Sequence, residues 1–234
     1  MIVLTTDGML FGWGVNNRGQ IGDGTSGTNR LSPVAVDVTG VLATKSITDI
    51  SAGYQHSLAL ASDGTVYAWG ADDTEALGNA TTTTQADSPV AVDMTGVLSG
   101  KTVAAISAGT FTGYALTSDG DLFAWGTNTT GAVGDGTTIS RDTPVAVDVS
   151  GVLAGQGVTS LQAGFECCLV LAEPAVSTIS PANRFTYAAN FGWLNWRTNP
   201  LAVDAPVIIQ ASRGARQYAN DIMLDRKSTR LNSS

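Results

Sequence analysis

Two residue pairs recur at a fixed interval, and that interval limits the architecture of this chain more than any other property. Asp7-Gly8, Asp63-Gly64 and Asp119-Gly120 lie 56 residues apart, and Trp13-Gly14, Trp69-Gly70 and Trp125-Gly126 keep the same step. Pro33, Pro89 and Pro144, each opening Pro-Val-Ala-Val-Asp, and Gly53, Gly109 and Gly164, each closing an Ala-Gly pair, step by 56 and then 55. The third unit is thus one residue shorter, in the loop between Trp125 and Pro144. A period of this order belongs to repeat architectures, in which a unit buries its apolar faces only against its neighbours.

Within a unit, His56-Ser-Leu-Ala-Leu-Ala-Ser-Asp-Gly-Thr-Val-Tyr-Ala-Trp69 sets an Asp-Gly pair between two alternating apolar runs, the pattern of a β-hairpin. As a two-residue turn, Asp63-Gly64 puts Leu60 opposite Tyr67 and Leu58 opposite Trp69 on one face, with Ala59, Ala61, Val66 and Ala68 on the other. The third unit offers Tyr114, Leu116, Phe123 and Trp125 against Ala115, Thr117 and Ala124; the first offers Ile2, Leu4, Phe11 and Trp13 against Val3, Thr5 and Gly12. One face is then bulky and the other small, and both are apolar, so the sheets are expected to stack on one another. Strands at 89–94 and 103–107 bring each unit to four. The expected class is all-β: a partial β-propeller of about three four-stranded blades at 1–53, 54–109 and 110–164, with a partial unit at 165–171.

Composition agrees with that reading and removes several functions. Charged residues are 14% of the chain, against roughly 25% in ordinary domains, and 27 glycines suit turn-rich β structure. The net charge of -8 opposes nucleic acid as a partner, because phosphate recognition needs a basic surface. No run approaches the roughly 18 apolar residues of a membrane span. The two cysteines are adjacent, Cys167-Cys168, and cannot frame a disulfide network; a single histidine leaves most metal and triad sites unbuildable. No catalytic residue, cofactor or metal is expected.

The units resemble the Regulator of Chromosome Condensation repeat. Its pattern is matched by Gly53-Tyr-Gln-His-Ser-Leu-Ala-Leu60, Gly64-Thr-Val-Tyr-Ala-Trp-Gly70 and Asn17-Arg-Gly-Gln-Ile-Gly-Asp-Gly24, over Met1 to about Leu171. Two departures stand out. The histidine of the pattern is Thr112 and then Cys167 in later units, and the glycine-rich stretch becomes Thr74-Glu-Ala-Leu-Gly78 in the second. The resemblance implies a closed ring of usually seven blades, so this chain is expected to be cut at its N-terminus. Were three blades the whole protein, their open faces would have to be buried by self-association.

Glu173-Pro174 and Ser180-Pro181 mark a linker at 172–181, followed at 182–224 by the start of a second β-domain in which Trp193 and Trp196 are candidates for stacking on sugar rings. Asp225 to Ser234 resembles a translated sequencing adapter and is expected to carry no biology. The repeat signature (Asp7, Gly8, Trp13, Gly14, Gly53, His56, Asp63, Gly64, Trp69, Gly70, Gly109, Asp119, Gly120, Trp125, Gly126 and Gly164) is read as scaffold, with His56 a hydrogen-bonded structural residue. Asp23, Asp135 and the Asp72-Asp73 pair are read as solvated turns rather than calcium ligands, and Cys167 and Cys168 as packed within an apolar strand at 165–171.

Partner contacts are expected from one rim, at Asn16, Asn17, Asp72, Asp73, Asn128 and Thr129. The expected function is a non-catalytic protein-binding scaffold, part of a larger bacterial secreted or cell-surface protein, as its lysine-poor composition suggests. The resemblance also admits guanine-nucleotide exchange on a small GTPase, which the acidic balance opposes, and the C-terminal aromatics admit carbohydrate or surface adhesion.

Overall fold

In a computed structural model, which describes residues 1–81 and 83–174, the chain forms antiparallel β-meanders with no helix among the described residues. The first sheet has three strands, β1 (Ile2–Leu4), β2 (Leu10–Gly14) and β3 (Arg30–Ala35). The second has four, β4 (Ile47–Ala52), β5 (His56–Ala61), β6 (Val66–Ala71) and β7 (Gln85–Ala91). The third repeats it with β8 (Val103–Ala108), β9 (Thr112–Thr117), β10 (Leu122–Gly126) and β11 (Arg141–Ala146), and β12 (Gln156–Ala163) pairs with β13 (Cys168–Pro174) in a fourth sheet. Gly53, Gly109 and Gly164 lie in the turn between the first and second strands of a sheet. Their amides donate to the carbonyls of His56, Thr112 and Cys167 at 2.8–2.9 Å.

The hairpin register differs from the expected one by one residue. Ala61 N–H donates to the Thr65 carbonyl at 2.9 Å, so Ser62, Asp63 and Gly64 form a three-residue loop, with Gly64 at φ +82°. That is a type I turn closed by a left-handed residue, a position where glycine carries no steric penalty. The same bonds run from Thr5 to Met9 and from Thr117 to Asp121. Leu58 therefore opposes Ala68 and Leu60 opposes Val66, while Ala59 opposes Tyr67 and Ser57 opposes Trp69. In the third sheet Tyr114 opposes Ala124, and Phe123 opposes Ala115. Each face thus combines bulky residues from one strand with small ones from the next, which corrects the division into a bulky and a small face. A slip of one residue sends every side chain to the opposite side.

This register explains how the sheets stack. Leu58, Leu60, Val66 and Ala68 pack with Ile106, Ala115, Phe123 and Trp125 of the following sheet. Ala59, Tyr67 and Trp69 pack with Leu10 and Val36 of the preceding one. Strands β5, β6, β9 and β10 are buried along their whole length, as a sheet covered on both faces must be. First strands of successive sheets are also joined: the Ser51 hydroxyl accepts Ala108 N–H and the Ser107 hydroxyl accepts Ala163 N–H, both at 2.9 Å.

His56 sits between sheets, 1% exposed, with no hydrogen-bond partner for Nδ1 or Nε2. It is a packed histidine and not the hydrogen-bonded one expected. Burial pushes its pKa down to about 4, and the backbone of Thr112 opposes the shift weakly without completing a bond. Below its ordinary value of 6.5 the unfolded chain binds a proton that the folded chain refuses, so stability falls as pH falls. We expect a loss on the order of 3 kcal/mol between pH 6.5 and 4, at about 1.4 kcal/mol per pH unit. Urea unfolding across that range checks it. The chain has one histidine, so a His56→Gln variant should flatten the profile; an unchanged slope would assign it to other groups.

Candidate interaction rim

The meander brings two kinds of loop to one end of the strands: the short turns after β4, β8 and β12, and the long connections β2–β3, β6–β7 and β10–β11. The long connections contain the residues expected to contact a partner, and those residues divide in two. Asn16 and Asn128 are 0% exposed and Asp72 is 6% exposed. They occupy one repeat position and each organises its own loop. Asn16 Oδ1 accepts Ile21 N–H at 3.0 Å, Asp72 Oδ1 accepts Leu77 N–H at 3.2 Å, and Asn128 Oδ1 accepts Val133 N–H at 2.9 Å. Their assignment as contact residues is corrected, since a buried amide or carboxylate that satisfies backbone groups faces no partner. Asn17, Asp73 and Thr129 are exposed on the rim, Asp73 in an ion pair with Arg18.

Of the carboxylates read as solvated turns, Asp23 and Asp135 are internal like Asp72, and Asp73 alone is solvated. Asp23 meets Arg30 at 2.5 Å and Asp135 meets Arg141 at 2.5 Å, with the carboxylate side chains only 8% and 6% exposed. Burial alone would raise the Asp135 carboxyl, but hydrogen bonds from Thr137 and Arg141 outweigh it and hold the pKa down at about 2. Fixed bonds of this kind are worth more than an exposed pair. In the middle loop the inventory is exchanged: Asn16, Asp23 and Arg30 become Asp72, Asn79 and Ala86. Asp72 has no arginine and takes hydrogen bonds from the Thr81 and Thr83 hydroxyls instead. Burial raises its pKa, those bonds acting against it. Among the described residues no group of three or more His, Cys, Asp or Glu side chains is placed to hold a metal ion.

Each long loop also grips the next sheet. The indole of Trp69 donates to the Gln20 carbonyl at 3.1 Å, joined there by the Ser57 hydroxyl at 3.0 Å, and Trp125 donates to the Ala76 carbonyl at 2.9 Å. Two residues beyond each carbonyl stands a glycine, Gly22 or Gly78, over the indole ring. Trp69 and Trp125 are fully buried, as core anchors should be; Trp13 is half-buried. Gly70 and Gly126 lie against the backbone of Gln55 and Phe111, and Gly14 ends β2. The Asp7-Gly8, Asp63-Gly64 and Asp119-Gly120 turns occupy the opposite end. There Lys45 bridges Asp63 and Lys101 bridges Asp121 and, at 3.9 Å, Asp119.

The short turns carry residues that the sequence did not single out. Tyr54 is 68% exposed and Phe165 75%. Tyr54 meets Phe111 edge to face at a centroid distance of 5.8 Å. With Gly53, Gly109, Thr110 and Gly164, the rings of Tyr54 and Phe165 line an open groove of about 240 Å³. Phe111 and Phe165 line a smaller recess beside it with Thr127, Thr130 and Glu166. Cys167 precedes β13 and is exposed, contrary to its expected place inside a strand, because the turn from Gly164 ends there. Cys168 is half-buried, and burial pushes its thiol up to about 11. Trp193, Trp196 and the segment at 182–224 lie outside the described residues.

Comparison with known proteins identifies the repeat. The family model described as Regulator of chromosome condensation (RCC1) repeat matches residues 7–60, 63–116 and 119–171. E3 ubiquitin-protein ligase HERC2 of Homo sapiens is 34% identical over 175 residues, and ultraviolet-B receptor UVR8 of Arabidopsis thaliana is 32% identical over 144. Those matches cover 74% and 62% of this chain but only 3% of HERC2 and 31% of UVR8, so the chain matches a small part of each. The crystal structure of Prp20p from Saccharomyces cerevisiae, whose report describes binding to Gsp1p and histones, superimposes with a TM-score of 0.65 at 20% identity. It covers 81% of this chain and 44% of Prp20p, a likeness of fold.

Proposed function

This chain belongs to the Regulator of chromosome condensation repeat family, and from that premise we propose that it is a non-catalytic protein-binding scaffold. The observation that carries the reading is how the polar signature is used. Asn16, Asp72 and Asn128 hold their own loops, and Trp69 and Trp125 tie one sheet to the next. Asn17, Asp73, Thr129 and the aromatic turns remain on a rigid rim, free to vary without disturbing the fold. Binding of Gsp1p and histones by Prp20p, a protein of the same fold, supports a protein as the ligand class. The reading extends to a bacterial secreted or cell-surface protein, supported by a charged fraction of 14% and a net charge of -8.

Photo-crosslinking in the source organism tests the proposal, with a photoreactive residue at Asn17 or Thr129 on one rim and at Asp7 or Asp63 on the other. Crosslinks to a protein confined to the Asn17 and Thr129 positions are expected. Crosslinks at neither rim, or equally at both, would contradict the reading.

A further inference from the structure

We propose that the groove lined by Tyr54 and Phe165, with the Phe111 recess beside it, binds a lysine- or arginine-bearing segment of a protein partner, an assignment that rests on the protein-binding reading above and specifies its site and chemistry. Three observations converge on it. The first is the exposure of a large aromatic ring, Tyr54, where no free end of the array explains it; Phe165 belongs to the last described sheet. Tyr54 and Phe111 belong to the turns of the two four-stranded sheets, each flanked by a sheet on both sides, so an uncovered end of the array does not account for Tyr54 being 68% exposed. The turns are held together, Tyr54 N–H reaching the Thr110 carbonyl at 3.4 Å, so the rings sit on a fixed base.

The second observation is the sign of the surface. Among the described residues all five basic side chains already bridge a carboxylate: Arg18 with Asp73, Arg30 with Asp23, Lys45 with Asp63, Lys101 with Asp121 and Arg141 with Asp135. An anionic ligand therefore meets no uncommitted cation there. A cationic ligand meets uncompensated carboxylates and ring faces, and the negative face of an aromatic ring attracts an ammonium or guanidinium group.

The third is local. Glu166 lines the recess that Phe111 and Phe165 share. Its side chain is exposed, so the carboxylate is within reach of a ligand held against the rings. An exposed carboxylate beside aromatic rings is complementary to a basic side chain.

Fluorescence anisotropy with the full chain tests the proposal, using labelled peptides that alternate glycine with lysine or glycine with glutamate. The lysine peptide should bind and the glutamate peptide should not. Tyr54→Ala combined with Phe165→Ala should weaken the lysine peptide by about tenfold. Thermal unfolding should be unchanged, since both rings are exposed. Asp7→Asn with Asp119→Asn on the opposite rim removes two exposed carboxylates and should leave affinity within about twofold. Equal weakening by both double variants would reduce the binding to general charge attraction and overturn the proposal, as would binding of the glutamate peptide or no binding of the lysine peptide. Rim-specific crosslinks that persist in the Tyr54→Ala, Phe165→Ala variant would remove the groove and keep the scaffold. Absence of crosslinks at both rims would remove both.

Discussion

Trp125→Ala is expected to lower the unfolding free energy by about 3–5 kcal/mol, read from urea midpoints at constant m-value. The indole is fully buried against Phe123, Ala115 and the preceding sheet, and its N–H satisfies the Ala76 carbonyl in that sheet's long loop. Truncation leaves a cavity at the junction between two blades and strips the carbonyl of its donor. Because a repeat array is stable only through its junctions, the loss should act on the whole array and not on one sheet alone. A change below about 1 kcal/mol would mean that the junction closes around the gap.

Gly78→Ala should destabilise from the other side of the same junction, by at least about 2 kcal/mol. Gly78 has φ +61°, and an added methyl would stand 2.6 Å from Cδ1 of Trp125. The ring is fully buried and lies close against Gly113 as well. The two substitutions touch one another, so they should not add: in Gly78→Ala, Trp125→Ala the methyl enters space the indole vacated, and the double variant should be more stable than the sum of the singles predicts by about 1 kcal/mol. Strict additivity would show that the close approach of Gly78 to the ring is not what limits the position.

The repeat, the strands and the stacking of sheets were legible because Asp-Gly and Trp-Gly mark the same place in every unit. The register was not. Asp-Gly serves both as a two-residue turn and as the end of a three-residue loop, and alternation such as Leu58-Ala-Leu60 is equally consistent with either until the loop is counted. The buried amides were misplaced because Asn16 and Asn128 stand in glycine-rich polar segments that look solvated. The signal lay in the coordinated exchange of Asn16, Asp23 and Arg30 for Asp72, Asn79 and Ala86, since loop residues that vary together at a repeat spacing share a structural task. The aromatic rim was hidden for another reason. Tyr54 and Phe165 each follow the repeated glycine, but Thr110 fills that position in the third sheet and Phe111 stands one residue on, and an aromatic beside a strand reads as core until its exposure is known.

The junction between blades is the premise on which both the fold and the rigid rim depend, and exchange of the indole protons tests it most directly. Trp69 and Trp125 N–H groups, bonded to the Gln20 and Ala76 carbonyls, should exchange with deuterium only through global unfolding, with an opening free energy equal to that from urea. Exchange of either at the rate of an exposed indole, while the amides of β5, β6, β9 and β10 stay protected, would show blades that fold without being locked together, and would contradict the account.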